Sequence, residues 1–440
     1  MTDLPRKAVA RTARLASLPL GIAGRATIGL GKRLGGAPAE AVVVEMQQRT
    51  AEQLFRVLGE LKGGAMKVGQ AMSIFEAALP EELAGPYRAT LTQLQDAAPP
   101  MSPSVVHSVL AQEMGPRWRA EFESFDDNPA ASASIGQVHR AVWKDGREVA
   151  VKLQYPGAGD ALRADLRQVG WAARMFAGWI PGIDLPPLVE ELQARVGEEL
   201  DYRLEAEAQS RFHERYAGDP DFVVPAVVAQ TGTVLVGEWV ESSSSLARLI
   251  AEGDQEERDR YGEMYVRFLF SGPMRAGMLH SDPHPGNYRI LPDGRLGVVD
   301  YGAVARTPDG FPASMGRTLG IAVSGDYDEV ERNLRAEGFI KPHIEVDTDA
   351  LRDYLEPFVE PARSERFRFS RAWMRSQFSR LNDPRQPGFT TQLKLNLPPS
   401  YLLIHRVWLG GIGVLSQLEA EAPFHALLRE WLPGFAEAVD

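Results

Sequence analysis

The sequence predicts an α+β protein of two lobes, a small lobe rich in strands followed by a larger, mainly helical one. Three observations lead to this prediction. Hydrophobic residues change from helical to strand spacing near residue 130, a long charged helix follows the first strands, and helical spacing returns beyond residue 245. A chain of 440 residues can form two or three lobes with substantial cores.

The small lobe is expected to contain short strands and one long helix. Asp145-Gly146 separates two runs rich in β-branched residues and predicts a hairpin turn. The Glu- and Arg-rich segment 188–216 predicts a single helix, and residues 242–245 are predicted as a polar linker between the lobes. The strands expected in the small lobe are 134–141, 148–154, 223–228 and 233–240. The larger lobe is expected to contain helices at 246–252 and 256–278, a hairpin that turns at Asp293-Gly294, and a helical tail.

Four regions are predicted along the chain: a basic arm (1–38), a helical extension (39–110), the small lobe (111–240) and the larger lobe (241–440). Residues 1–36 contain seven Lys or Arg and one Asp, a net charge of +6, which leaves −17 for the remaining chain within the total of −11. Such an arm suits contact with an anionic membrane surface. A solvated tail and an organellar targeting segment have the same composition and remain alternatives.

Composition excludes several classes of site. The chain has no cysteine, which excludes disulfides, cysteine nucleophiles and Cys-type zinc or iron–sulfur sites. The acidic main body lacks a basic stripe interleaved with aromatic residues, which argues against nucleic acid as a partner. The best candidate for a membrane span, residues 401–415, is interrupted by His405 and Arg406 and is shorter than the roughly 20 apolar residues required. We therefore expect a cytoplasmic protein whose membrane contact, if any, is peripheral at the inner face.

The segment His280–Asn287, followed by Asp300, carries the strongest chemical signal. An Asp, an Asn five positions later and a second Asp eighteen positions after the first have the spacing that kinase folds use for phosphoryl transfer. Asp282 is predicted as the catalytic base or water-orienting carboxylate, and Asn287 and Asp300 as Mg²⁺ ligands. A plain Pro/Gly turn with a capping Asp is the alternative for this segment alone. His280 and His284 are predicted as structural supports, since a zinc site would lack a third ligand.

Lys152 is the predicted phosphate-binding lysine. It ends Val149-Ala150-Val151-Lys152 on a predicted strand, as in kinases, whereas simple alternation alone would leave it facing solvent. Such a lysine needs a carboxylate partner, and we favour Glu205 on the following helix. On one continuous helix, three of its acidic residues would share a face and Glu199 would lie about a quarter-turn away; the three are Glu198, Asp201 and Glu205.

A short alanine- and serine-rich run stands where a protein kinase has its glycine-rich loop. It consists of Ala131, Ser132, Ala133 and Ser134. Gly136 is the permissive residue that remains, so we expect altered nucleotide geometry rather than lost ATP binding. The backbone from Glu238 to Val240 is expected to receive the adenine.

Together these residues resemble the UbiB/AarF family of atypical, protein-kinase-like proteins, over about residues 45–420. The chain departs from the family pattern at two positions. Ser132 stands where an alanine is common, and Tyr301 replaces the phenylalanine of Asp-Phe-Gly. A tyrosine ring can fill the same space if its hydroxyl is hydrogen-bonded. Five segments match in order: Lys67-Val68-Gly69-Gln70 (the family's KxGQ motif), the run 131–134, Lys152 with Gln154-Tyr155-Pro156-Gly157, Glu199-Leu200-Asp201, and His280–Asn287 with Asp300.

The resemblance implies a bilobal protein-kinase-like fold with a helical N-terminal extension that lies over the nucleotide site. Lys67 and Gln70 would then meet Glu199 and Asp201 and block a polypeptide substrate. The absence of an Ala-Pro-Glu motif after residue 302 agrees with this. The resemblance also implies an ATPase or a small-molecule or lipid kinase that uses ATP and Mg²⁺. Its partner would be a lipid or quinone-like molecule, in support of quinone or isoprenoid-lipid biosynthesis. An anionic membrane surface, through residues 1–36, and a protein complex are further possible partners.

Two alternatives stay open at this point. An aminoglycoside-phosphotransferase-like small-molecule kinase shares the His-x-Asp-x-His-x-x-Asn loop, although it would not account for the KxGQ segment. A non-catalytic, nucleotide-gated scaffold for a membrane biosynthetic complex would retain the same binding residues without turnover.

Overall fold

The computed structural model describes residues 100–133, 135–160, 162–163, 167, 184–382, 391–392 and 394–440. The predicted basic arm and nearly all of the helical extension, including Lys67 and Gln70, lie outside the described residues, and so does Ser134. Helices and strands are numbered below in chain order within the described part.

The small lobe is a five-stranded antiparallel sheet in the order β1-β2-β3-β6-β5. One helix, α1 (Pro103–Glu113), packs on one face of the sheet through Val106 and Leu110. Ser102-Pro103 begins this helix because proline fits the first helical turn. The strands are β1 (Phe122–Ala133), β2 (Gly136–Trp143), β3 (Glu148–Gln154), β5 (Val227–Gln230) and β6 (Val234–Glu238).

Strand β3 explains why Lys152 faces the space between the lobes. Val149, Val151 and Leu153 alternate along the strand and are fully buried against the α1 side of the sheet. Ala150 and Lys152 therefore lie on the opposite face. The Asp145-Gly146 turn that joins β2 to β3 is present, with Gly146 at φ +85°, a conformation that glycine adopts without steric cost.

The single helix predicted at 188–216 is wrong. The structure has α2 (Leu185–Glu199) and α3 (Tyr202–Arg215), separated at Leu200 and Asp201. Asp201 is the N-cap of α3, where its side chain accepts a hydrogen bond from the Arg203 amide. Since the helix is broken there, the expectation that Glu198, Asp201 and Glu205 share one helical face is wrong as well.

The larger lobe is mainly helical and is centred on two long helices, α5 (Gln255–Ala276) and α10 (Leu402–Leu418), whose apolar residues belong to one extended core. An Asp254–Glu257 capping box begins α5, and Gly277 at φ +66° ends it. The other helices are α4 (Leu246–Glu252), α6 (Ala313–Ser324), α7 (Tyr327–Ala336), α8 (Thr348–Arg363), α9 (Arg371–Asn382), α11 (Phe424–Trp431) and α12 (Phe435–Val439).

Short strands position the loop with Asp282. Strand β8 (Met278–His280) leads into this loop and pairs with β11 (Val304–Arg306), which follows Asp300. The remaining strands are β4 (Phe222–Val223), β7 (Ser244–Ser245), β9 (Tyr288–Ile290), β10 (Leu296–Val298), β12 (Phe367–Arg368) and β13 (Glu421–Ala422). The predicted linker at 242–245 is thus partly wrong, because β7 pairs with β9. The hairpin at Asp293-Gly294 joins β9 to β10 as expected.

Strands and helices combine in a small sheet lobe and a larger helical lobe, so the predicted α+β, kinase-like fold is confirmed. The apolar segment 401–415 lies within α10 and is largely buried inside the larger lobe. Within the described part of the chain, every helix is too short or too polar to cross a lipid bilayer.

Candidate functional site

A cleft of about 560 Å³ lies between the two lobes. Its volume is in the range of small-molecule and cofactor sites. Residues predicted for nucleotide and metal binding line it from both sides: Ala131, Ser132, Ala133, Lys152, Glu205, Glu238, Val240, Asn287 and Asp300.

Lys152 forms ion pairs with two carboxylates in the depth of this cleft. Its Nζ donates to Glu205 Oε1 at 2.7 Å and to Asp300 Oδ1 at 3.0 Å, and it lies 5.1 Å from the centre of the Tyr202 ring. Burial disfavours the charged lysine, but the charges of Asp300 and Glu205 outweigh burial and hold the pKa of Lys152 well above its usual value. The lysine is therefore a fixed cation between the lobes.

Asp300 is held in an unusual backbone conformation. Its φ of +67° lies in the left-handed region, which few residues other than glycine adopt and which occurs often at functional sites. Its Oδ1 also accepts from the Gly302 amide at 3.3 Å, and its carbonyl accepts from His280 Nε2 at 2.9 Å. Burial lowers the pKa of His280, so a neutral imidazole holds this backbone in place.

Both carboxylate oxygens of Asp282 have partners. Asn287 Nδ2 donates to Oδ2 at 3.1 Å, and Arg406 Nη2 donates to Oδ1 at 3.2 Å. Asp282 is buried, and Arg406 reaches it from α10, 124 residues further along the chain. Sequence reasoning missed Arg406, although its charge inside the apolar segment 401–415 was a signal.

Asn287 and Asp300 fit the predicted role as Mg²⁺ ligands. Both line the cleft, and amide and carboxylate oxygens are the hard ligands that Mg²⁺ prefers. Because the Asn287 amide nitrogen bonds to Asp282, its oxygen is the atom that can serve a cation. Mg²⁺ commonly uses one or two protein ligands together with nucleotide phosphates and water. Among the described residues, no group of three His, Asp or Glu side chains could hold a metal ion.

The predicted hinge offers one backbone donor. The amides of Glu238 and Trp239 donate to the carbonyls of Ala226 and Glu148. No hydrogen bond from the Val240 amide occurs within the described residues, and Val240 lines the cleft. Val240 is thus the hinge residue with an available amide.

Three residues of the alanine- and serine-rich run, 131–133, belong to a strand rather than to an open loop, and Ser134 lies outside the described residues. Ala131, Ser132 and Ala133 end β1 and pair with Val138, Gln137 and Gly136. A Cβ on Gly136 would lie 1.9 Å from the Leu153 carbonyl oxygen. Glycine is therefore needed at this position for the close approach of β2 to β3, and the interpretation of Gly136 as a residual flexible point is corrected.

Three other residues singled out in the sequence, Glu199, Asp201 and Tyr301, are not among those that line the cleft. Glu199 is buried at the end of α2, and Asp201 caps α3; their proposed partners Lys67 and Gln70 are outside the described residues. The Tyr301 ring is fully buried, with its centre 5.0 Å from that of Phe212. The condition set for this ring, a hydrogen-bonded hydroxyl, is not met, because within the described residues this oxygen makes no hydrogen bond.

A second, apolar cavity of about 170 Å³ lies inside the larger lobe. Residues of α6, α8 and α10 form much of its wall, including Leu319, Phe358 and Trp408. His405 also lines it, and burial lowers the pKa of this histidine. Since Arg406 is the next residue of α10, a single helix borders both this cavity and Asp282.

A family model described as the ABC1 atypical kinase-like domain matches residues 93–334, more than half of the chain. The chain is 29% identical over 419 residues to Protein ACTIVITY OF BC1 COMPLEX KINASE 3, chloroplastic, of Arabidopsis thaliana, covering 93% of this chain and 56% of that protein. It is 27% identical over 366 residues to Atypical kinase COQ8B, mitochondrial, of Rattus norvegicus. This alignment covers 81% of this chain and 69% of that protein.

The chain spans about half the length of the first curated relatives that it matches, between 46% and 56%. Among solved structures, one titled "The complex structure of Rv3197-erythromycin from Mycobacterium tuberculosis" has a TM-score of 0.68 and 43% sequence identity. The alignment covers 91% of this chain and 100% of that one. The resemblance found in the sequence is confirmed, and the chain belongs to the ABC1 (UbiB/AarF) family of atypical kinase-like proteins.

Proposed function

We propose that this protein transfers the γ-phosphoryl group of Mg-ATP to water or to a small-molecule or lipid acceptor. The activity would support quinone or isoprenoid-lipid biosynthesis or homeostasis at a membrane surface. One observation carries the proposal: Lys152 of the small lobe and Asp300 of the larger lobe form an ion pair at 3.0 Å in a cleft that also contains Asn287. This combination of a lysine and two metal-binding side chains is what phosphoryl transfer requires.

Each side chain has a defined task in this proposal. Lys152, held by Glu205, contacts the nucleotide phosphates, and the Val240 amide donates to the adenine. Asn287 and Asp300 would hold Mg²⁺, which would neutralise negative charge on the nucleotide phosphates when bound. Asp282 orients the attacking water or hydroxyl and accepts its proton. The residues therefore act mainly by positioning and by electrostatic stabilisation.

A small or lipid acceptor is favoured over a polypeptide for two reasons. The larger lobe contains the apolar cavity described above, which could accept an apolar group of modest size. In addition, the solved relative at 43% identity is titled as a complex with erythromycin, a small molecule. Relatives named atypical kinase COQ8B or coq-8 agree with phosphoryl-transfer chemistry.

The proposal is tested by Mg-dependent ATP hydrolysis of the purified protein, measured with and without anionic liposomes. We expect slow basal hydrolysis, stimulation by the liposomes, and a loss of at least about 100-fold in Asp282→Asn, because the orienting carboxylate is gone. Asp309→Asn, a change at an exposed turn carboxylate, is the matched control and should keep full activity.

Other outcomes distinguish the alternatives. Equal hydrolysis by Asp282→Asn and wild type would contradict the mechanism. ATP binding without turnover under every condition would support the non-catalytic scaffold. Rapid phosphorylation of a soluble hydroxylated compound, without any response to liposomes, would support the aminoglycoside-phosphotransferase-like alternative.

A further inference from the structure

The carboxylate of Asp282 is shared between two elements of the larger lobe. Asn287, on the same loop, donates to Oδ2 at 3.1 Å, and Arg406, on α10, donates to Oδ1 at 3.2 Å. Two donors on different oxygens fix the rotation of a carboxylate about its last side-chain bond, which one donor cannot do.

The cation beside Asp282 is supplied from outside the loop. Residues 280–287 contain no Lys or Arg. The two loop histidines form hydrogen bonds with backbone groups. His280 Nε2 donates to the Asp300 carbonyl, and His284 Nδ1 accepts from the Gly286 amide. Arg406 therefore supplies a charge-assisted hydrogen bond to Asp282 from outside the loop.

Helix α10 holds Arg406 firmly in this place. Ile404, Val407 and Trp408 on the same turns are buried in the core of the larger lobe. The arginine side chain is partly buried and the Asp282 side chain almost completely so. A hydrogen bond between a rigid helix and a buried carboxylate keeps its geometry better than one between two exposed side chains.

We propose that Arg406 is a positioning residue, which holds Asp282 Oδ1 so that the carboxylate faces the attacking group and does not swing toward the metal and phosphates. This inference rests on the proposed phosphoryl transfer and names a residue that acts through Asp282. Neither Arg406 nor Asp282 is among the residues that line the cleft, whereas Asn287, which bonds to Asp282, is one of them. Loss of the arginine removes the hydrogen bond to Oδ1 and keeps the one from Asn287 to Oδ2.

The test compares Arg406→Gln, Arg406→Lys and wild type in steady-state ATP hydrolysis. We expect Arg406→Gln to lower kcat about 10- to 100-fold, since misplacement of a catalytic group by about 1 Å has effects of this size. KM for ATP should change less than about threefold, and Arg406→Lys should regain part of kcat. The double variant Arg406→Gln/Asp282→Asn should be no slower than Asp282→Asn alone, because both changes act on one group.

Arg332→Gln, which removes a surface arginine paired with Glu329, is the control and should leave kcat unchanged. Thermal unfolding of each variant separates a folding defect from a change in kcat. An unchanged kcat in folded Arg406→Gln, or an increase in KM alone, would overturn this inference while the proposed function stands. A wild-type protein without any turnover would overturn the proposed function and this inference together.

Discussion

Residues at close backbone contacts are the most sensitive positions in the small lobe. Gly136 lies where β2 comes so near to β3 that an added Cβ would lie 1.9 Å from the Leu153 carbonyl oxygen. A backbone atom in the middle of a sheet cannot move aside, so we expect Gly136→Ala to lower the free energy of unfolding by about 2–3 kcal/mol. Urea unfolding of the full chain measures this change.

Gly197→Ala is the matched control for this prediction. Gly197 lies inside α2, and among the described residues no atom beyond its chain neighbours and the adjacent helix backbone lies within 4 Å of the position that its Cβ would take. Alanine should therefore leave stability unchanged or raise it by up to about 1 kcal/mol through its higher helix propensity. If the two alanine variants unfold at the same urea concentration, the close contact at Gly136 does not have the energetic cost that we infer.

For single residues, the sequence predicts which side chains belong to the site better than it predicts every ion pair that they form. The order of the motifs suffices to propose Lys152 and Glu205 as a pair, whereas strand alternation alone would leave the lysine facing solvent. The structure brings the two side chains to 2.7 Å. Arg406 could not be assigned to Asp282, because its position depends on how α10 packs in a core assembled from distant segments. Its presence in an apolar run marks a buried charge without naming the partner.

At the scale of helices and strands, the break between α2 and α3 is a helix end that the hydrophobic pattern of the sequence does not reveal. No glycine or proline lies at Leu200 or Asp201, so the charged segment looks continuous. In the structure, the Tyr202 amide donates to the Gly232 carbonyl, and Gln154 Nε2 donates to the Leu200 carbonyl. These contacts with the sheet replace helical hydrogen bonds and end α2, which is a tertiary effect.

Asp201 stabilises the start of α3 by accepting a hydrogen bond from the Arg203 amide. Asp201→Ala should lower the free energy of unfolding by about 1 kcal/mol, the usual cost of losing an N-cap. Asp201→Asn should lower it by only a few tenths of a kcal/mol, because asparagine caps about as well. Chemical denaturation of the two variants tests this, and equal stability of Asp201→Ala and wild type would contradict a capping role.

For the whole molecule, composition and motif order were enough to predict two lobes and a nucleotide cleft, since the matching segments follow one another in the order that the fold requires. The sequence could not predict that the Ala/Ser run would be paired in β1, because its pairing depends on the register with β2.

Residues 1–36 carry a net charge of +6 against −17 on the rest of the chain. A basic residue near an anionic bilayer contributes about 1 kcal/mol to binding, and salt screens this attraction. We expect replacement of the seven basic residues of the arm by Gln to abolish most co-sedimentation with vesicles containing anionic lipid. Wild-type binding should fall as salt is raised from about 0.05 to 0.5 M, and a shuffled arm of equal charge should bind normally. Sedimentation that neither the replacement nor the salt changes would show that the membrane contact, if there is one, lies elsewhere on the molecule.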